Sequence, residues 1–367
     1  MHSTLDLSEL DNRIGRLFMC GIPGTEMDRE TESLIRDHAL GGIILFARNI
    51  ETPIQVASLC KELQATAIKS HGTPLFLAVD QEGGRVARLR EPFAQFPGNS
   101  VMGNDTRATD KAAQFGETTA KEMRLVGLNM NMAPVVDVRT GEPEQHLDGR
   151  LFGDDPQKVA LLGGLVVKNL QENGVMAVAK HFPGLGRATR DPHHDLPMIE
   201  ADVEEMEKIH LPPFRAAIDQ DVSAVMTSHA LYPALDPEYP GTLSHRIVTG
   251  WLREACGFQG LIVTDDLEMG AIKKRWGVAQ GAVAAFRAGC DILLICEDQA
   301  AAIDGMERLR DGLLMEEVLL QRFHESVGRI MAAKTRFLGK RDDIYLKEVE
   351  DYFGRWAGDK DQGSSGV

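Results

Sequence analysis

Short apolar runs alternate with longer amphipathic stretches along this chain from one end to the other, and that alternation leaves few folds open. The runs fall at 17–22, 42–46, 75–79, 130–136, 175–180, 224–228, 261–264 and 292–296. Between them, apolar residues recur at helical spacing over 31–40, 53–69, 111–126, 156–173, 203–219, 247–256 and 277–288. Gly41, Gly127, Gly174, Gly260 and Gly289 stand where a helix would close in a left-handed cap before the next strand. No hairpin signal is visible in the body, and strands joined through helices run parallel. The expected fold is α/β, a closed (β/α)8 barrel of the TIM type, in one domain over 1–358 with a frayed polar tail at 359–367. A long periodic stretch at 299–338 would cover the barrel's outside. An open doubly wound sheet is the alternative, weakened because no GxGxxG follows the first strand.

Such a barrel carries its working side chains at the carboxyl ends of its strands. The chain's unusual polar residues fall there repeatedly: Asp80 follows 75–79, Lys180 and His181 follow 175–179, His229 follows 224–228, and Asp265 follows 261–264. Random surface polarity would scatter such residues over both ends.

Each cluster has a plain reading and a chemical one. Lys180-His181-Phe182-Pro183-Gly184-Leu185-Gly186 ends a buried strand in two polar residues, which fits a polar cavity or simple strand-end solvation. Asp191-Pro192-His193 sets a carboxylate two residues from an imidazole, where it can fix the tautomer and raise basicity. His193 could instead pair forward with Asp195, and a chance polar loop is the plain reading. Asp265 and Asp266 offer a nucleophile or base beside a helix cap, or two caps. In Asp80-Gln81-Glu82-Gly83-Gly84-Arg85-Val86-Ala87-Arg88, the acids and guanidinia can chelate vicinal hydroxyls, or pair with one another in solvent. Arg150 precedes a Pro156-initiated helix with Asp154 and Asp155 at its mouth as caps; the arginine reaches a ligand or pairs with those acids.

Composition removes several classes. A formal charge of −15 argues against nucleic acid, whose binding rests on clustered cations. No apolar run reaches the roughly 18–20 residues that span a bilayer, and the start carries no basic and apolar leader. Five cysteines without CxxC spacing read as buried thiols in a reducing compartment, so the cytoplasm is the expected location.

Taken in order, the motifs resemble the family 3 glycoside hydrolases, in particular the single-domain bacterial β-N-acetylglucosaminidases. The similarity lies in Asp80–Arg88, in Asn131-Met132-Ala133-Pro134-Val135-Val136-Asp137, in Lys180–Gly186 with Asp191 and His193, and in Thr264-Asp265-Asp266-Leu267. The resemblance implies Asp265 as nucleophile and His193, oriented by Asp191, as acid/base. It implies that Asp80, Arg88, Arg150, Lys180 and His181 hold the sugar ring. It implies retaining hydrolysis of terminal β-linked N-acetylglucosamine, as in cell-wall recycling, with a small carbohydrate as partner and neither metal nor cofactor. Leu185 stands where the family usually has histidine, Arg187 and Ala188 replace a common Asp-Thr, and Pro192 replaces the usual serine. Phosphorolysis, another β-glycosidase activity, or an inactive sugar-binding barrel acting as a muropeptide sensor are the rival expectations. Oligomeric state is not legible.

Overall fold

The computed structural model describes residues 7–142, 144–188, 190–339 and 343–363. Eight parallel strands form the centre: β1 (Phe18–Gly21), β2 (Gly42–Leu45), β3 (Phe76–Val79), β4 (Met130–Asn131), β5 (Met176–Phe182), β6 (Ala224–Thr227), β7 (Leu261–Val263) and β8 (Leu293–Ile295). Their order around the sheet is β7-β6-β5-β4-β3-β2-β1-β8. The ring closes between β7 and β8 through a parallel bridge, Val263 to Ile292, and the Thr264 amide donates to Ile292 at 3.0 Å. Below that seam, buried Asp291 accepts from the Ile262 amide at 3.0 Å, Arg253 at 2.7 Å and Arg329 at 3.0 Å. This is the closed (β/α)8 barrel expected.

The strands are buried on both faces, one by the barrel interior and one by the surrounding helices, which is why they read as continuous apolar runs. The helices start where short polar side chains satisfy free amides. Asp28 accepts from Thr31, Thr52 from Gln55, and Asp155 from Gln157 ahead of Pro156. Asp154 does not cap. It is exposed and stands 3.9 Å from Arg139.

Several expectations need correction. Two antiparallel hairpins interrupt the parallel pattern, Gln81–Gly83 with Val86–Ala87, and Leu231–Tyr232 with Asp236–Pro240. Gly83 and Gly84, both at positive φ, turn the first of them. Gly127, Gly174 and Gly289 take left-side φ values as expected, but Gly41 and Gly260 do not; Ala39 and Gly257 fill that role instead. The 299–338 stretch is two helices, Gln299–Met315 and Glu317–Leu338, broken by the extended backbone of Glu316. The last helix is Leu346–Gly363, and 364–367 lie outside the described residues. Among the described residues no helix is long and apolar enough to cross a membrane.

Candidate active site

A cavity of about 610 Å³ opens at the carboxyl ends of the strands. The eight residues to which the resemblance gave a role all line it: Asp80, Arg88, Arg150, Lys180, His181, Asp191, His193 and Asp265; His229, also noted at a strand end, lies behind it. They arrive from β3, β5, β7 and three loops, so the barrel brings together positions spread over 186 residues of chain (80 to 265, both ends counted).

One wall is a ring of buried charge. Lys180 Nζ lies 2.9 Å from Asp80 Oδ1 and 2.7 Å from Glu82 Oε1. Arg150 grips Glu82 with two parallel hydrogen bonds, Nε to Oε2 at 2.8 Å and Nη2 to Oε1 at 2.9 Å. Arg88 closes on Asp80 Oδ2 at 3.4 Å. Desolvation works against the charged forms of Glu82 and Lys180, but their partners outweigh it. Arg150 and Lys180 hold the Glu82 carboxyl far below the usual carboxylate range, and Asp80 and Glu82 raise Lys180. Arg150 therefore pairs with Glu82 rather than with the acids at the mouth of the following helix.

Consecutive strand residues normally face opposite ways. Lys180 and His181, joined by a cis peptide bond, both reach the cavity, and the β5–β6 ladder slips register here, between Ala179 and Phe182. His181 is then fixed from behind. Its Nδ1 lies 2.7 Å from Asp137 Oδ2, and the same buried carboxylate accepts from the backbone amides of His181 and Leu185.

The two acids after β7 are sorted by their surroundings. Desolvation works against ionised Asp265, but His181, His229, the Asp266 amide at 2.9 Å and Lys180 together keep its carboxyl below the ordinary range. Asp266 faces the opposite balance. Burial, with the charges of Glu268 and Asp265, pushes it up to about 7, against the Glu268 amide it accepts from at 3.1 Å. Of the two neighbours, Asp265 is the one held fully ionised at neutral pH. His229, fully buried, fixes this turn: its Nε2 donates to the Asp266 carbonyl at 2.9 Å, and its Nδ1 lies 2.7 Å from Thr242 Oγ1.

The Asp-His pair sits on the long loop after β5. His193 Nδ1 lies 2.6 Å from Asp191 Oδ1, which also accepts from the His193 amide at 2.9 Å. Burial would raise Asp191, but these two contacts hold it down and ionised. The His193 side chain is 58% exposed, open enough to exchange protons with water. Asp195 takes no part; it pairs with Lys274 at 3.6 Å.

The sequence did not single out Glu144 and His146, which line the same cavity. His146 Nδ1 lies 2.6 Å from Glu144 Oε2, and burial lowers the imidazole. Arg85 Nη2 donates to the Gln145 carbonyl at 2.8 Å and pins this segment. Donor atoms of Glu144, His146 and Asp191 lie within 4.8 Å of one another, a set that could hold a cation, although both carboxylates already accept from imidazoles. Glu82 lines the wall and Asp137 holds His181 from behind it; both stood in the quoted motifs without either role showing there.

Comparison with known proteins follows this geometry. The model described as glycosyl hydrolase family 3 N terminal domain matches residues 9–333. A β-hexosaminidase of Pseudomonas aeruginosa is 37% identical over 295 residues, 80% of this chain and 86% of its own. A family 3 β-N-acetylglucosaminidase from Paenibacillus superposes with a TM-score of 0.86 at 36% identity, over 95% of this chain and 68% of its own. A β-N-acetylhexosaminidase from Beutenbergia cavernae does so with 0.82 at 30% identity, over 89% of this chain and 98% of its own.

Proposed function

The chain belongs to glycosyl hydrolase family 3 and is a glycoside hydrolase, and from that premise we propose that it is a retaining exo-β-N-acetylglucosaminidase. One observation carries the reading: a cavity-facing ionised aspartate and an exposed Asp-His pair line one pocket with a ring of fixed charge. In the first step an Asp265 oxygen bonds to the anomeric carbon while the bond to the leaving oxygen breaks and His193 gives that oxygen its proton. In the second, His193 takes a proton from water, whose oxygen displaces the Asp265 carboxylate and releases the sugar with its configuration retained. Asp191 keeps the imidazole oriented through both. Asp80, Arg88, Arg150, Lys180 and His181 are the candidates to hold the sugar hydroxyls. No step calls for a metal or organic cofactor.

The natural substrate in this reading is a cell-wall fragment ending in N-acetylglucosamine, met in a reducing cytoplasm where the five cysteine thiols would stay reduced. Trapping with a 5-fluoro N-acetylglucosaminyl substrate and mapping the labelled peptide tests the core of it. The label is expected on Asp265, and Asp265→Asn should bind sugar but form no adduct. A label on Asp266 or Asp80 would overturn the assignment. Release of sugar 1-phosphate in phosphate buffer would mean phosphorolysis instead.

A further inference from the structure

The loop that carries His193 is not left to itself. Its tip rests on the helix Gly270–Trp276, which begins five residues after Asp265. The first amides of a helix have no partner within it. Here the Gly270 amide donates to the His193 carbonyl at 3.0 Å and the Ala271 amide to the Pro192 carbonyl at 3.1 Å. One turn on, Lys274 Nζ donates to the His194 carbonyl at 2.6 Å and stands 3.6 Å from Asp195. The loop residues Pro192 to Asp195 are thus all held by this one short helix.

We propose that this helix is the seat that sets the His193 imidazole relative to Asp265, with Gly270 and Lys274 as positioning residues. The proposal rests on the reading of His193 as the acid/base. Two features make the seat exacting. The loop tip is compact, because the His194 and Asp195 amides both donate to the Asp191 carbonyl, at 3.0 and 3.1 Å. Displacing the carbonyls on the helix therefore displaces the imidazole. Gly270 also leaves no room: a Cβ there would stand 2.6 Å from the His194 oxygen and 2.8 Å from the His193 oxygen, both backbone atoms. Its backbone is not in the left-handed region. Close approach of the loop, rather than conformation, is what excludes a side chain. The stretch 265–276 carries Asp265, the cavity-lining Met269 and the seat, so the nucleophile and the loop are set by one short piece of chain.

Gly270→Ala is the direct test, since alanine suits a helix better than glycine and only the loop has to yield. Alkyl β-N-acetylglucosaminides, with poor leaving groups, are expected to lose roughly 10–100-fold in kcat/KM, inside the range that general acid catalysis supplies. Dinitrophenyl β-N-acetylglucosaminide, whose leaving group needs little protonation, should lose less than about threefold. Lys274→Met, which leaves the backbone contacts in place, should give the same pattern at roughly three- to tenfold. It carries the test should the alanine variant fold poorly. Amide hydrogen exchange reads the seat without catalysis: the Gly270 and Ala271 amides should be protected in the native protein and exchange at least about tenfold faster once alanine is introduced. Equal losses on both glycosides, or native amides at 270 and 271 that exchange freely, would overturn the seat. A His193→Ala control without leaving-group dependence would sink the acid/base reading itself. With that control intact, wild-type cleavage of both glycosides by the alanine variant would sink the seat alone.

Discussion

The two charged regions of the cavity are built to opposite rules. In the ring around Glu82, the side chains of Glu82, Lys180 and Arg150 are 2%, 3% and 12% exposed, and each answers to at least one buried opposite charge. His193 is 58% exposed and has one carboxylate partner. A buried, multiply paired charge cannot change protonation near neutral pH, because its partners would be left uncompensated in a poor solvent. An exposed imidazole with a single partner is open to give and take protons. The ring is suited to holding a ligand in place and the loop to moving protons. The contrast follows from how each is anchored: the ring is cross-linked between β5, the hairpin after β3 and the segment of Arg150, while the imidazole stands on a single loop.

The largest effect that would sharpen this contrast is catalytic. His193→Ala is expected to cut cleavage of glycosides with poor leaving groups by roughly 10²–10⁴-fold, while activated aryl glycosides lose far less in the first step. Its stability in denaturant should stay within about 0.5 kcal/mol of the native protein, as at other exposed positions. If His194→Ala reproduced the leaving-group pattern and His193→Ala did not, the pair would be displaced by one residue.

Glu82→Gln should behave in reverse. It leaves Lys180 and Arg150 partly uncompensated, so urea unfolding should show a loss of about 3–5 kcal/mol. The pH dependence has a definite sign. Glu82 is held below its unfolded value, so its contribution is present above the ordinary carboxylate range and is lost as pH falls towards the folded value. The variant should therefore lose part of the native protein's decline in strong acid. Unchanged stability would break the contrast, by making the ring as dispensable as the loop.

Much of this was legible because buried parallel strands read as unbroken apolar runs, and the residue after each run lands on the active face. Asp80, Lys180 and Asp265 were found that way. The hairpin strands Val86–Ala87 and Leu231–Tyr232 are too short to show a period of two, so the turn at Gly83-Gly84 read as loop. Glu144 and His146 lay in a loop without periodicity, and their nearness to Asp191, 45 positions on from His146, is set by the fold alone. Glu82 was visible as a charge, but its two cations come from residues 150 and 180. Strand-end position betrays a site residue; pairing across the barrel does not.

Asp191→Ala lies next in size. The imidazole remains but loses its tether, so the leaving-group pattern of His193→Ala should recur at roughly tenfold. A loss as large as that of His193→Ala would mean that Asp191 carries more than orientation.

The smallest effect separates the neighbours Asp265 and Asp266. Asp266 is raised from 3.8 to about 7 by burial and by the charges of Glu268 and Asp265. A carboxyl with a raised folded value binds its proton more tightly when folded. Its contribution to stability is full below the unfolded value and is lost as pH rises through about 7. Asp266→Asn keeps the shape and removes the titration, so its stability should fall less than the native protein's between roughly pH 4 and 8. Asparagine can still accept from the Glu268 amide, so the turn should hold and activity should remain within about tenfold of the native enzyme. Asp265→Asn would differ in kind, because an amide at that position cannot form the glycosyl ester. Thermal melts across that pH range, with adduct formation in both variants, decide it. If Asp266→Asn abolished the adduct, the charge sorting of the two neighbours would be the reverse of the one argued from their surroundings.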